Sequence, residues 1–368
     1  MKKLLVIIGA RPQFIKFAPL SKAFQNFGSI DEIIIHTGQH YDSNMSSLFF
    51  SEMDIYEPHY NLDVKSGSHA DQTAMIMQRL EKIIAKEDPD GVVVFGDTNS
   101  TLSGALVAVK MNIPVFHVEA GLRSFNRKMP EEINRVITDH ISVLHFAPTA
   151  TAVQNLKHEG ITDNVYHVGD VMYDAALQFS RKAEIESFIL KNLNLSSKQF
   201  FLATIHRAEN TDNSTLLMNI LQFLKHCSMR FPVVLPLHPR TRKMIKEYQL
   251  ESYCEGIKIL DPVGFLDMVR LESNAACVIT DSGGVQKEAY FHKVPCITTR
   301  KETEWAETVE SKWNKLLPPD SLSVEDSLDV MFEFINIQDR GIIQDYGDGT
   351  SSQKIAHIIS RYFGLDNG

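Results

Sequence analysis

Residues 91–120, GVVVFGDTNSTLSGALVAVKMNIPVFHVEA, run from an apolar segment through a polar turn and an amphipathic stretch to a second apolar segment. Val92–Phe95 is too short for a helix and reads as a buried strand. LSGALVAVKM spaces its apolar residues for one helical face, and PVFHVEA restores the strand pattern. A strand, a helix and a second strand in this order form a βαβ unit, which makes the two strands parallel.

The rhythm extends in both directions. KLLVII, FIKFAPLSKAFQNF, EIIIHTG and QTAMIMQRLEKIIAKE alternate strand and helix before residue 91. After VYHVGDVMYDAALQF it restarts with QFFLATIH, a helix around TLLMNILQFLKHCSM, then PVVLPLH, KIL, ACVITD, a helix from GGVQKEAYFH, and PCITTR. The pattern predicts an α/β chain with two Rossmann-like, doubly wound parallel sheets facing a cleft, with ligands at the carboxyl ends of the strands. The expected domains are 1–168 and 169–350, with 351–368 a terminal helix that packs back across to the first.

With 368 residues, 43% hydrophobic and 23% charged, the chain has the composition and length of two ordinary domains. A formal net charge of −9 argues against nucleic-acid binding over a broad basic face. No apolar run reaches the roughly 18 residues of a membrane span, and MKKLLVII meets GARPQ too soon for a signal peptide, so the cytoplasm is the expected compartment. Cys227, Cys254, Cys277 and Cys296 have no zinc-ligand spacing and read as reduced, packed thiols.

Three motifs suit a nucleotide diphosphate. IIGARPQFIKFAPL turns at Gly9 into a helix start beside Arg11 and Lys16; it reads either as an anion site or as a plain βα turn with two solvated cations. It is not a GxGxxG fingerprint, and none occurs elsewhere, which disfavours a nicotinamide cofactor. In VITDSGGVQKEAYFHKVP, Ser282, Gly283 and Gly284 open a helix where backbone amides can approach a phosphate, and Glu288 follows one turn later, able to accept from a ribose diol. A simple N-cap with a surface glutamate is the plainer reading. His206 and Arg207, and again His238 and Arg240, follow apolar strands and supply cationic donors for a pyrophosphate. Phe265 reads equally as core or as a face beside a base.

Asp97, Glu119, Glu131 and Glu132 fall close together at strand ends and a helix start. The helix dipole explains Glu131 and Glu132 singly, but not Asp97 and Glu119. Carboxylates crowded at one cleft raise each other's proton affinity and suit acid and base work on a sugar.

GARPQFIK, HTGQHYD, GDTNSTLSGAL, HVEAGLRS, PEEINR, HRAEN, HPRTR, DSGGVQKEA and TEWAETVE, in order from residue 5 to about 315, resemble the non-hydrolysing UDP-N-acetylglucosamine 2-epimerases. The resemblance implies a two-domain fold like the B-type glycosyltransferases and glycogen phosphorylase, a homodimer, UDP held chiefly by the second domain, and neither metal nor cofactor. It maps Asp97, Glu119 and Glu131 onto acid/base carboxylates and His206 onto a catalytic histidine. Arg11, Lys16, Arg135, Arg207, His238, Ser282, Gly283, Gly284, Glu288 and Arg300 are then substrate contacts, and Phe265 joins them on the reading as a face beside the base. Pro12-Gln13 stands where commoner members have Pro-Glu, Trp305-Ala306-Glu307 stands for Arg-Pro-Glu, and the segment from Glu119 to Glu131 is shorter. Gln39-His40 resembles part of a second, regulatory substrate site, whereas Tyr41-Asp42 departs from it. These variants look most like the subgroup acting on UDP-2,3-diacetamido-2,3-dideoxyglucuronate, with Arg127, Lys128, Arg207 and Lys301 as partners for its carboxylate.

The chemistry is constrained independently. C2 of a UDP-aminosugar is not next to a carbonyl, so its proton cannot simply be exchanged. Elimination of UDP to a 2-acetamidoglycal, followed by re-addition, needs a base, an acid on the opposite face and cations for UDP, and the residues supply these. A hydrolysing epimerase, a glycosyltransferase of the same architecture and a non-catalytic nucleotide-sugar sensor are the competing readings.

Overall fold

A computed structural model describes residues 1–39, 47–65, 67–321 and 323–365. The chain divides into two compact units, one comprising Met1–Ala175 and Gln344–Gly368, the other Ala176–Ile343. The change of unit falls inside the helix Val171–Glu186, beyond residue 168, and the return falls before residue 350.

The first unit holds a seven-stranded sheet. In chain order its strands are β1 (Lys2–Ile8), β2 (Ile30–His36), β3 (Tyr60–Asn61), β4 (Gly91–Phe95), β5 (Val115–Val118), β6 (Leu144–Ala147) and β7 (Val165–His167), and their spatial order is β3-β2-β1-β4-β5-β6-β7. All pairs are parallel, with Ile7 opposite both Ile35 and Val94. Leu4–Ile8 and Val92–Phe95 are wholly buried, as strands covered by helices on both faces must be. Gly9 ends β1 where a Cβ would come within 2.0 Å of Ser100 Oγ, so only glycine lets this turn approach the helix Asn99–Lys110. The C-terminal helix Ser351–Tyr362 belongs to this unit, and Tyr362 and Phe363 meet the ring of Phe116 edge-on.

The second unit repeats the plan with six parallel strands: β8 (Phe201–Thr204), β9 (Val233–Pro236), β10 (Ile257–Leu260), β11 (Cys277–Thr280), β12 (Cys296–Thr298) and β13 (Asn314–Leu316), in the order β10-β9-β8-β11-β12-β13. Leu217, Ile220, Leu221 and Leu224 form the buried stripe of the helix Ser214–Cys227 and pack on Phe201, Ala203 and Val233. Burial pushes the Cys227 and Cys296 thiols up to about 12. Among the described residues no helix is long and apolar enough to cross a membrane.

Candidate active site

In each sheet the strand order reverses once, between β1 and β4 and between β8 and β11. Ligands of doubly wound sheets bind beyond the carboxyl ends of such a pair.

At the first reversal a cavity is lined by Ala10, Arg11, Gln13, Lys16, Gly96 and Asp97. Lys16, in the second turn of the helix Arg11–Phe27, donates from Nζ to Glu119 Oε2 beyond β5. Burial works against the ammonium, but the charge and hydrogen bond of Glu119, with the charges of Asp170 and Asp97, outweigh it and raise the Lys16 pKa. Asp97 Oδ2 accepts from Arg135 Nη2 at 2.5 Å, and its carbonyl accepts from Asn134 Nδ2 at 2.8 Å. Glu131 precedes Asn134 and Arg135, the two partners of Asp97, by three and four residues in the helix Pro130–Ile141, the spacing that shares a helix side. Its half-buried carboxyl has no hydrogen bond or ion pair among the described residues.

Glu132 differs from its neighbour. It is 2% exposed and accepts from Ser124 N at 2.8 Å, Ser124 Oγ at 2.9 Å, Phe125 N at 2.9 Å and Arg135 Nη1 at 3.1 Å. Burial alone would raise its pKa, and these donors hold it below the usual carboxylate range. Its work is to fold the loop 124–129 onto the helix start. Glu119 has φ +70, a left-handed backbone that a non-glycine residue adopts only where its surroundings enforce it.

At the second reversal, Asp281 ends β11 fully buried and braces the loop after β8. It accepts from His206 N at 3.0 and 3.1 Å, from Arg207 N at 3.0 Å and from Asn210 Nδ2 at 3.2 Å. His206 Nδ1 stands 3.5 Å from the same carboxylate, and its ring centroid is 5.6 Å from that of His238. Burial first, then the charges of His206 and Arg240, lower the His238 pKa, and its Nδ1 caps the following helix through Arg240 N. Ser282 precedes the helix Gly283–Phe291, and a Cβ on Gly283 would lie 3.6 Å from Arg207 Nη2. Thus Arg207, Ser282, Gly283 and Gly284 converge, with Trp305 Nε1 donating to the Gly283 carbonyl at 2.9 Å. Glu288 is half-buried one turn on. Arg300 is engaged by Glu209 at 3.1 Å and Glu304 at 3.0 Å. Phe265 is 8% exposed and edge-on to Phe179 at 4.8 Å, the packing of a core ring.

Several residues at these two places have roles that the sequence did not assign to them. Gln13 accepts from Gly9 N at 2.7 Å and Ala10 N at 3.1 Å and donates to the Phe95 carbonyl at 2.7 Å, joining the β1 and β4 turns. Its position in GARPQ, one turn before Lys16, was the available signal. Asp170 and Asn134 gave no pattern, and Asp281 was hidden beside the more conspicuous Ser-Gly-Gly. Gln39 is buried, with Oε1 accepting from Ser100 N at 2.8 Å and Ser100 Oγ at 2.6 Å; His40, Tyr41 and Asp42 lie outside the described residues.

Two parallel-sheet α/β units define the class, that of proteins with the B-type glycosyltransferase-like fold. The model of the UDP-N-acetylglucosamine 2-epimerase family matches residues 22–360, and the chain belongs to this family of epimerases. It is 50% identical to a UDP-N-acetylglucosamine 2-epimerase homolog of Methanococcus maripaludis, over 97% of this chain and 99% of that protein. It is 46% identical to the UDP-2,3-diacetamido-2,3-dideoxy-D-glucuronate 2-epimerase of Pseudomonas aeruginosa, over 98% and 99%. The crystal structure of the Methanocaldococcus jannaschii UDP-GlcNAc 2-epimerase in complex with UDP-GlcNAc and UDP matches with a TM-score of 0.83 at 44% identity, covering 98% of this chain and 99% of that one.

Proposed function

We propose that the chain inverts C2 of a UDP-2-acetamido sugar without net hydrolysis, through a 2-acetamidoglycal. One carboxylate among Asp97, Glu119 and Glu131 takes the C2 proton while the C1–O bond to UDP breaks and its electron pair leaves with UDP. The C2–H electrons form the C1=C2 bond. An acid then protonates C2 from the opposite face and a UDP oxygen returns to C1, so nothing is consumed. UDP is held by the second unit, with phosphate at Ser282–Gly284 beside Arg207, ribose at Glu288, and His206 and His238 at the same rim. The observation that carries the reading is the gathering of Asp97, Glu119 and Lys16 at one sheet reversal, with Arg135 on Asp97.

The finer reading is the diacetamido uronic acid, a precursor for surface polysaccharide. Among the cations named for its carboxylate, Lys301 is engaged by Asp320 at 2.8 Å and Arg207 lies beside the phosphate turn. Arg127 and Lys128 remain, exposed in the loop before Glu131 with no ion pair among the described residues. The proposed assembly is a homodimer, favoured by the stripe Met129, Ile133 and Ile137, exposed at four-residue spacing along one helix side. Sedimentation of a monomer would overturn it. The proposed compartment is the cytoplasm, testable by cell fractionation.

The chemistry is tested by offering UDP-N-acetylglucosamine and the diacetamido uronic acid separately in deuterium oxide and following C2 by NMR. C2 epimers of the uronic acid carrying deuterium are expected. Free sugar would mean hydrolysis, and no reaction without an acceptor would mean a transferase. Turnover of the neutral sugar alone would overturn the uronic acid, and inversion without deuterium would overturn the mechanism.

A further inference from the structure

His117, on β5, is wholly buried, touches the Asp97 loop directly and reaches the Glu119 loop through Asp139. Its Nε2 meets the Gly96 carbonyl at 2.8 Å, and its Nδ1 meets Asp139 Oδ1 at 2.7 Å. A carbonyl only accepts, so Nε2 is a donor, and Nδ1 faces the carboxylate, making the ring a bridge between the two. Asp139 Oδ2 in turn accepts from Gly121 N at 3.1 Å and from Arg123 Nη1 at 2.7 Å. Arg123 closes the chain by a fork onto Glu159, with both bonds at 2.7 Å. Burial penalises the Asp139 carboxylate, but the His117 and Arg123 donors outweigh it and hold its pKa below the usual range.

What the network grips gives it meaning. Gly96 immediately precedes Asp97 and has φ +65, while Gly121 follows Glu119 by two residues and has φ +81. A Cβ on Gly121 would fall 2.3 Å from the Ala152 carbonyl oxygen, so only glycine fits this close approach. Glu119 itself is held with positive φ. Positive φ at a non-glycine residue such as Glu119 persists only when over-determined by its surroundings, and Asp139 holds the Gly121 turn directly and the Gly96 turn through His117. We infer that His117 and Asp139 are positioning residues that fix the Asp97 and Glu119 loops relative to each other, without touching substrate.

The inference rests on the acid/base reading of Asp97 and Glu119, and the experiment keeps the two apart. His117→Gln and the isosteric Asp139→Asn are compared with Asp97→Asn and Glu119→Gln, with kcat expressed per folded molecule. Both positioning variants are expected to lose kcat by about 10²-fold, the cost of misplacing reacting groups by about 1 Å. KM and the dissociation constant for UDP should stay at wild-type values. UDP reports on the second unit alone, so the folded fraction of the first is taken from the urea unfolding signal of each variant, and a purely structural role would leave kcat per folded molecule unchanged. That result in either variant, or a parallel loss of UDP affinity, would overturn the inference. Wild-type turnover in Asp97→Asn and Glu119→Gln would instead overturn the acid/base reading.

Discussion

Lys16 and Glu119, 103 residues apart in the chain, form an ion pair beyond the carboxyl ends of β1 and β5, which flank β4. Glu119 is 7% exposed, so it depends on this cation more than a surface carboxylate would. Lys16→Met keeps most of the apolar stem and removes the charge. Stripping one partner from a buried pair costs about 3–5 kcal/mol, and the partial exposure of Lys16 sets the expected loss near the lower figure. Urea unfolding of the variant checks this; a loss below about 1 kcal/mol would mean that solvent screens the pair as it does on a surface.

Glu131 and Glu132 are adjacent in sequence and opposite in expected effect. Glu131→Gln should lower turnover by about 10²–10⁴-fold, the usual worth of a positioned acid or base, and leave the unfolding midpoint where it was. Glu132→Gln retains an acceptor for Ser124 and Phe125 but loses the charge that Arg135 meets at 3.1 Å, so its effect should appear in thermal stability first. Equal falls in turnover for the two variants at equal stability would contradict the separation.

Glu288 is the carboxylate assigned to the ribose. Glu288→Ala should weaken UDP binding by about 1–3 kcal/mol, the range for losing hydrogen bonds to a charged group. Titration calorimetry with UDP alone isolates this from catalysis. An unchanged dissociation constant would remove Glu288 from the nucleotide site.

The alternation of strands and helices was legible because the central strands are buried on both faces and read as uninterrupted apolar runs, as in Val92–Phe95. The two-residue β3 and the three-residue β13, Asn314–Leu316, carry no such run and are fixed by pairing with neighbours far along the chain. The site was legible where a residue type is unusual for its place, as with Asp97 and Glu119 at strand ends. It was illegible where the work is done by contact: nothing in HVEAG announces that Glu119 takes a positive φ, or that His117 spans from Asp139 to Gly96. The different tasks of Glu131 and Glu132 likewise depend on which side of one helix each faces.

Glu272 extends the carboxylate chemistry into the core of the second unit. It is 3% exposed on the helix Phe265–Asn274, 3.8 Å from His292 Nε2, while His292 Nδ1 meets Ser180 Oγ at 3.0 Å. Burial, and then the charge of Glu288, push the Glu272 carboxyl well above its ordinary value of 4.5. Burial, with the charge of Lys198, lowers His292 to about 4. The pair is therefore held neutral between these limits, with the proton on Glu272. In the unfolded chain Glu272 releases its proton near 4.5, whereas the folded chain retains it, so the unfolded state binds fewer protons as pH rises from there. The contribution of this group is full below 4.5 and is lost with increasing pH, by at most about 1.4 kcal/mol per pH unit. His292 acts in the other direction, costing stability as pH falls from 6.5 toward about 4, and does so in both proteins. Glu272→Gln keeps the shape and removes the titrating proton. The variant should gain stability over the wild type progressively as pH rises above 4.5, measured as the difference in urea midpoint across pH 4.5 to 8. Parallel profiles across that range would show that Glu272 does not hold its proton in the folded protein.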